Sequence, residues 1–303
     1  MRARFVGLVA AIACAAMAVT LGAQNNSNTL VFFASLVDAA GAPLSTLNPG
    51  DLTVAENGTE GKIVKVEPID WPVKVQLLVD NGAGMEQALV QIRNGIKGFV
   101  EALPDGIEMS LVTTAPQPRV VVRPTMDKQA MIQGADRIAP DSAAARFVES
   151  LNEAAGRIDK DKANHFPVVV SLASTTAEGS SVMERDIQRM LQRFSDRAAT
   201  VHVIMVSTGA QSVGRVTGAI QTVVGEAVTK TTGGRYENIA AVTRVSTLLP
   251  EIGAQIAKSH TLQSHQFRVT FQRPNGASGP LGQVGAATRP GLTPMLTVNG
   301  RLP

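Results

Sequence analysis

Apolar and polar positions along this chain change texture twice. Residues 30–37, 52–56 and 62–66 carry the alternating or short apolar runs of strands, separated by turn residues. Asn57-Gly58 sits between the second and third, a hairpin signal because both positions tolerate positive φ. From residue 73 the pattern becomes strand, helix, strand. Apolar runs at 73–79, 107–114, 120–123, 166–173 and 200–207 read as strands. Between them, amphipathic stretches at 85–103, 128–138, 144–158, 182–198 and 212–230 read as helices. In the first of these, Leu89, Ile92, Ile96, Phe99 and Val100 form one stripe at helical spacing.

Runs such as Val168-Val169-Val170 lack alternation, as expected for strands covered on both faces. The prediction is an α/β unit with a mostly parallel sheet between helices. Thr232-Gly233-Gly234-Arg235-Tyr236 ends a helix on glycine and opens a short strand, and a last helix is expected near 242–258. After His260 the texture returns to β, at 266–272, 281–288 and 294–298. Two β segments therefore flank one α/β unit. The economical arrangement inserts the α/β domain, 71–259, into one small sheet domain built from 24–70 and 260–303.

Composition narrows the function classes. Arg2 and Arg4 precede an apolar run at 5–21 and a small-residue site at Leu21-Gly22-Ala23, which predicts a cleaved signal peptide, 1–23. The competing reading keeps the run as a membrane anchor. After cleavage no stable membrane span is expected, and the location is periplasmic or secreted. Cys14 is the only cysteine, so disulfides and thiol or cysteine–metal chemistry are excluded from the mature chain. The formal charge of +3, and the absence of any basic run, speak against a nucleic-acid surface.

The most informative junction is Val79-Asp80-Asn81-Gly82-Ala83-Gly84, where an apolar strand ends on an aspartate and a glycine turn leads into a helix. In open α/β sheets ligands bind at such carboxyl ends. Gly82-Ala83-Gly84 is not a dinucleotide fingerprint, because Gln87 stands where a third glycine belongs and no acid ends the 107–114 strand. An anion at the helix N-terminus is disfavoured by Asp80 itself. The simplest role for Asp80 is to cap neighbouring amides.

Together, "VDAAGAPLSTLNPGDLTVAENG", "VKVQLLVDNGAGM" and "TTGGRYENI" resemble, in order and spacing, the von Willebrand factor A-related family of exported acidobacterial proteins. The resemblance implies a Rossmann-like A domain with an attached β domain, and a role in binding or assembly rather than catalysis. It also implies a metal-ion-dependent adhesion site in degenerate form. Metal-binding members use Asp-x-Ser-x-Ser, a threonine from a second loop and an aspartate-glycine from a third. Here Asp80 is followed by Gly82 and Gly84, Ala145 stands in the threonine's place with Ser142 as the weaker alternative, and Leu172-Ala173-Ser174-Thr175 replaces the aspartate-glycine. One carboxylate without flanking hydroxyls is a poor cage, so no metal and no other cofactor is expected.

Hydroxyls nonetheless gather at the predicted strand ends. Asp80, Asn81, Thr113, Thr114, Ser174, Thr175, Ser207 and Thr208 form a possible partner-binding rim. The competing reading is that these side chains only terminate strands and cap helices. Enzyme signatures are missing: there is no Gly-x-Ser-x-Gly elbow, phosphate loop or His-Glu-x-x-His. His165, His202, His260 and His265 are scattered, and no catalytic residue is assigned. The expectation is an exported, non-enzymatic module that binds an extracytoplasmic protein without metal. The alternatives are an assembly subunit of an envelope complex with an inert rim, and a metal-dependent adhesion domain.

Overall fold

The computed structural model describes residues 28–207, 219–277 and 281–301, which fall into two compact units. Residues up to Ile69 join His265–Val298 in one; Asp70–Ser264 and the residues from Asn299 on form the other. The segment read from the sequence as a signal peptide, 1–23, lies outside the described residues.

The first unit holds strands β1 (Thr29–Val37), β2 (Leu52–Glu56), β3 (Thr59–Glu60) and β4 (Lys62–Pro68) from its earlier segment. Its later segment supplies strands matching β11 (Phe267–Gln272), β12 (Val284–Thr288) and β13 (Thr293–Thr297) in chain order. They build two antiparallel sheets, β13-β1-β11-β4 and β12-β2-β3, where the sequence pattern predicts one. The alternating positions Phe32, Ala34 and Leu36 meet Val54, Val269 and Phe271 in a shared core, with Phe32 and Phe271 edge to face at 6.4 Å. Asn57 (φ 50°) and Gly58 (φ 79°) make the expected turn, but beyond it only the two residues of β3 pair with β2, whose other neighbour is β12. β4 leaves for the other sheet and pairs with β11. A side chain at Gly61 would meet the Phe271 ring, so glycine lets the chain pass close to β11 where it changes sheets.

The second unit carries β5 (Val73–Val79), α1 (Leu89–Ala102), β6 (Glu108–Thr113), β7 (Arg119–Thr125), α2 (Lys128–Asp136), α3 (Phe147–Lys160), β8 (Phe166–Ser174), α4 (Glu184–Asp196), β9 (Thr200–Val206), α5 (Ala219–Thr232), β10 (Tyr236–Ile239) and α6 (Val245–Gln263). The start of the helix expected from 212 lies outside the described residues. The sheet order is β10-β9-β8-β5-β6-β7, parallel except for β7, which returns antiparallel beside β6. Every residue of β8 is buried, which explains the lack of alternation in its apolar stretch Val168-Val169-Val170. One face packs Leu78, Val112, Val169 and Val203 against Leu151, Met190 and Val224 of the helices α3, α4 and α5. On the other face α1 and α6 pack closely. A Cβ at Gly253 would stand 2.9 Å from the Phe99 carbonyl, so the helix backbones approach as only glycine permits.

Connections run from β5 to β6 on one side and from β6, by way of β7, α2 and α3, to β8 on the other. The carboxyl ends of β5 and β8 therefore flank a topological switch point, where α/β folds place their sites. Among the described residues no helix is long and apolar enough to cross a membrane.

Candidate functional site

β5 carries its pairing one residue past its end, the Asp80 amide donating to the Leu172 carbonyl at 2.9 Å. Asp80 is 2% exposed, and both carboxylate oxygens are engaged by the protein. Oδ1 accepts from the Gly82 amide at 2.8 Å. Oδ2 accepts from the Ser174 amide at 3.1 Å and from the Ser174 hydroxyl at 2.6 Å. Ser174 Oγ also lies 2.6 Å from Thr176 Oγ1. Since the Ser174 proton is given to the carboxylate, Thr176 donates to Ser174. Gln221, at the start of α5, then donates its side-chain amide to the Thr176 carbonyl at 2.9 Å. Burial pushes the Asp80 carboxyl above its ordinary range, against the opposing pull of its Ser174 and Gly82 hydrogen bonds.

Asn81 ties the neighbouring loops together. Its Oδ1 accepts from Ala115 N at 3.1 Å, its Nδ2 donates to the Ala139 carbonyl at 2.9 Å, and its own carbonyl accepts from Asp141 N at 2.8 Å. The Ala83 amide donates to the Ala143 carbonyl at 2.9 Å, so the second loop lies on the glycine turn. A Cβ at Gly82 would come within 2.9 Å of that carbonyl and 3.0 Å of Ala145 N. Gly84 adopts φ +90°, and a Cβ there would stand 2.8 Å from Thr176 Cγ2. The two positions that would carry the hydroxyls of a metal site are thus closed by packing and by backbone conformation.

A third connection escaped the sequence reading. Arg146, which precedes α3, supplies no side-chain cap. Ser180, from the loop after β8, takes that role, its Oγ accepting from Glu149 N at 2.9 Å, and its own amide donates to Glu178 Oε1 at 3.1 Å. Burial pushes the Glu178 carboxyl up as well. No local signal marks this cap, because donor and acceptor lie on different loops.

The rim residues separate into a buried group and a surface group. Asp80, Asn81, Thr113, Thr114 and Ser174 are between 2% and 6% exposed and lie too deep to touch a partner directly. Thr175 and Ser207 are half-buried; Thr175 N donates to the Val206 carbonyl, and Ser207 Oγ donates to Asn238 Oδ1 at 2.7 Å. Thr208 lies outside the described residues. Exposed apolar side chains stand among polar ones on the helices that follow these strands: Val90 near the start of α1, Met183 before α4 and Val223 in α5 are 60%, 61% and 64% exposed, and Glu86, Gln87, Glu184 and Arg185 are exposed in the same segments.

A divalent ion, which this fold family implies, does not fit these residues. Asp80 has spent its oxygens on Ser174 and Gly82, Ala145 offers no oxygen ligand in its side chain, and the turn has no room for serines. Among the described residues no three His, Cys, Asp or Glu side chains gather as ligands. Nor do the histidines assemble a catalytic group. His202 is buried, accepts at Nδ1 from the Arg235 amide, and is depressed by burial to about 4. His165 is buried and bonded to the Ala163 carbonyl through Nδ1.

Sheet order, flanking helices and the aspartate at the switch point define an α/β fold of the von Willebrand A type, accompanied by extra antiparallel sheets. Residues 75–177 match the von Willebrand factor type A domain family, a span running from β5 through the Asp80 turn to the loop after β8. Among solved structures, the chain is similar to a von Willebrand factor type A protein from Catenulispora acidiphila. The two share 12% identity over 91% of this chain and 75% of that one, with a TM-score of 0.49. It is also similar to the open conformation of the pilus adhesin SpaC from Lactobacillus rhamnosus GG. There the identity is 11%, covering 84% of this chain and 43% of that one, with a TM-score of 0.53. No curated protein sequence matches the chain.

Proposed function

We propose that this protein is an exported, non-enzymatic protein-binding module whose von Willebrand A-type unit works without a metal ion. The observation that carries the reading is the Ser174 hydroxyl, 2.6 Å from Asp80 Oδ2, with the loop around Ala143 packed over Gly82. The carboxylate that would anchor a bridging ion is a structural tie between β5 and β8 instead. Contact with a partner then falls to the exposed side chains around the rim, not to the buried hydroxyls beneath them. A pilus adhesin shares this fold, so the fold accommodates such a role, although the support here comes from this chain's own residues. Export rests on the basic start and apolar run of residues 1–23.

The test compares the mature protein with Val90→Asp and Met183→Glu variants in capture from the envelope fraction, with and without chelator. One partner lost in both variants and retained under chelator supports the reading. Chelator-sensitive capture overturns its metal-free part. The depth of Asp80, Asn81, Thr113, Thr114 and Ser174 also favours a second reading, an assembly subunit with an inert rim. Capture unchanged by both rim variants but lost on altering the first unit's β-sheets decides for that reading.

A further inference from the structure

At the opposite end of the second unit's sheet, polar side chains occupy positions that the fold elsewhere fills with core residues. Alternate residues of β5 and β6 pair in register as Lys74↔Glu108, Gln76↔Ser110 and Leu78↔Val112. Leu78 and Val112 are packed beneath α3. The other two pairs sit on that same face, because side chains alternate along a strand. They line a cleft of about 150 Å³ with Arg157 of α3 above them.

Hydrogen bonding in the cleft is unequal. Lys74 lies 2.8 Å from Asp161 and 3.6 Å from Glu108, so the cleft's acids share a cation. Arg157 is less well matched. Its Nε donates to Gln76 Oε1 at 2.8 Å, and its Nη1 has only the half-exposed Glu153 at 3.4 Å. Its Nη2 is buried with no hydrogen-bond partner. Burial lowers the pKa of this guanidinium against the opposing pull of Glu153. Leaving a charged donor buried and unmatched is costly, and a planar oxyanion is the group that satisfies a guanidinium best. With its carbonyl given to Arg157, Gln76 keeps its amide protons for a ligand, and Ser110 supplies a hydroxyl.

We propose that this cleft binds a small carboxylate, held by Arg157, Gln76 and Ser110 and carrying a short apolar tail against Val112, Val120 and Pro124. A cavity of roughly this size holds a molecule as large as benzene, which sets the tail at a few carbons. The carboxylate belongs either to a free acid or to the C-terminus of a peptide. The site is independent of the rim and of the function proposed for it.

Amide NMR of the folded protein tests the site with isobutyrate, isobutyramide, inorganic phosphate, and a short valine-ended peptide with a free or an amidated terminus. Saturable shifts at the Gln76 side-chain amide and the Ser110 amide are expected with isobutyrate, and none with isobutyramide. Affinity falls about tenfold in Arg157→Gln and is partly restored in Arg157→Lys. Tighter binding of the free-ended peptide than of isobutyrate, lost on amidation, assigns the same chemistry to a chain terminus. Should Arg157→Gln fail to fold, Ser110→Val removes a donor and fills the cleft, and it too abolishes the shifts. No saturation by tens of millimolar, an equal response to isobutyramide or phosphate, or undiminished binding in the folded variants overturns the proposal.

Discussion

The hydroxyl of Ser174 donates to Asp80 Oδ2 at 2.6 Å and joins the ends of two adjacent parallel strands across the switch point. The bond replaces an external ligand with one from the fold. It also makes the buried carboxylate dependent on one side chain, since its other partners are backbone amides.

Removing that side chain leaves a charge in a buried site with one donor fewer. Ser174→Ala is expected to cost about 1–3 kcal/mol in urea unfolding at neutral pH. The loss shrinks on acidification. Asp80 has a folded pKa above its ordinary 3.8, so between the two values the native state holds the proton more tightly than the unfolded chain. Stability from this group is therefore present below 3.8 and lost as pH rises through the folded value. Ser174→Ala raises that folded value further by deleting a hydrogen bond to the charged form. A deficit that grows toward low pH contradicts this account.

Restoring the missing hydroxyls does not restore a metal site. Gly82→Ser meets the Ala143 carbonyl and Ala145 N at 2.9 and 3.0 Å, and Gly84→Ser adds a side chain at φ +90°. The double variant is expected to lose about 1–3 kcal/mol by overpacking, with backbone strain in addition. Its thermal midpoint should not rise with millimolar magnesium, calcium or manganese. A metal-dependent rise would mean that the loop around Ala143 yields and that Asp80 gives up Ser174.

Much of this was legible in the chain, and the gaps share one physical origin. Covered strands such as β8 announce themselves because burial on both faces favours apolar residues throughout, and Asp80 stood out as the charged residue ending such a run. Side-chain partnerships are non-local and leave no mark. Asp80 and Ser174 are 94 residues apart, and nothing near Ser180 shows that it caps α3. The hairpin at Asn57-Gly58 was readable as a turn, yet the exit of β4 to another sheet pairs it with β11, far along the chain. Burial was the other blind spot. Thr113 and Thr114 read as rim hydroxyls, while the structure puts them at 5% and 2% exposure.

In the first unit, Glu56 and Arg273 form a doubly hydrogen-bonded ion pair, each at 4% exposure. The Gly282 amide also donates to Glu56, tying in the segment that leads to β12. Arg273→Met alone strands a buried carboxylate and is expected to cost about 3–5 kcal/mol. Adding Glu56→Leu recovers most of that loss, because two apolar side chains need no partners. Acid acts on this pair in the opposite sense to Asp80. Arg273 holds the Glu56 carboxyl below its ordinary 4.5, so its contribution is present above 4.5 and lost as pH falls through the folded value. Urea titrations of the four combinations between pH 3 and 7 measure the coupling. Simple additivity of the two substitutions contradicts it.

His202 supplies the last prediction, through a ring that burial keeps neutral. It lies in β9 at 3% exposure, and its Nδ1 accepts from the Arg235 amide at 3.1 Å. Protonation would turn that nitrogen into a donor facing a donor, inside a desolvated site beside the Arg235 charge. Burial, with the Arg235 charge, depresses the pKa from 6.5 to about 4. Between those values the unfolded chain binds the proton and the native state does not, so stability falls as pH drops through this window. The shift corresponds to a loss on the order of 3 kcal/mol by its lower end. Imidazole NMR should show the His202 signal unchanged on acidification from pH 7 to 5, with protonation only on approach to the acid unfolding transition. His202→Leu removes the titration but leaves the Arg235 amide without its acceptor, so the variant is expected to be less stable at pH 7 and to show a flatter pH dependence below 6.5. Titration of His202 near 6.5 in the folded protein would place the ring in water and remove the basis for both expectations.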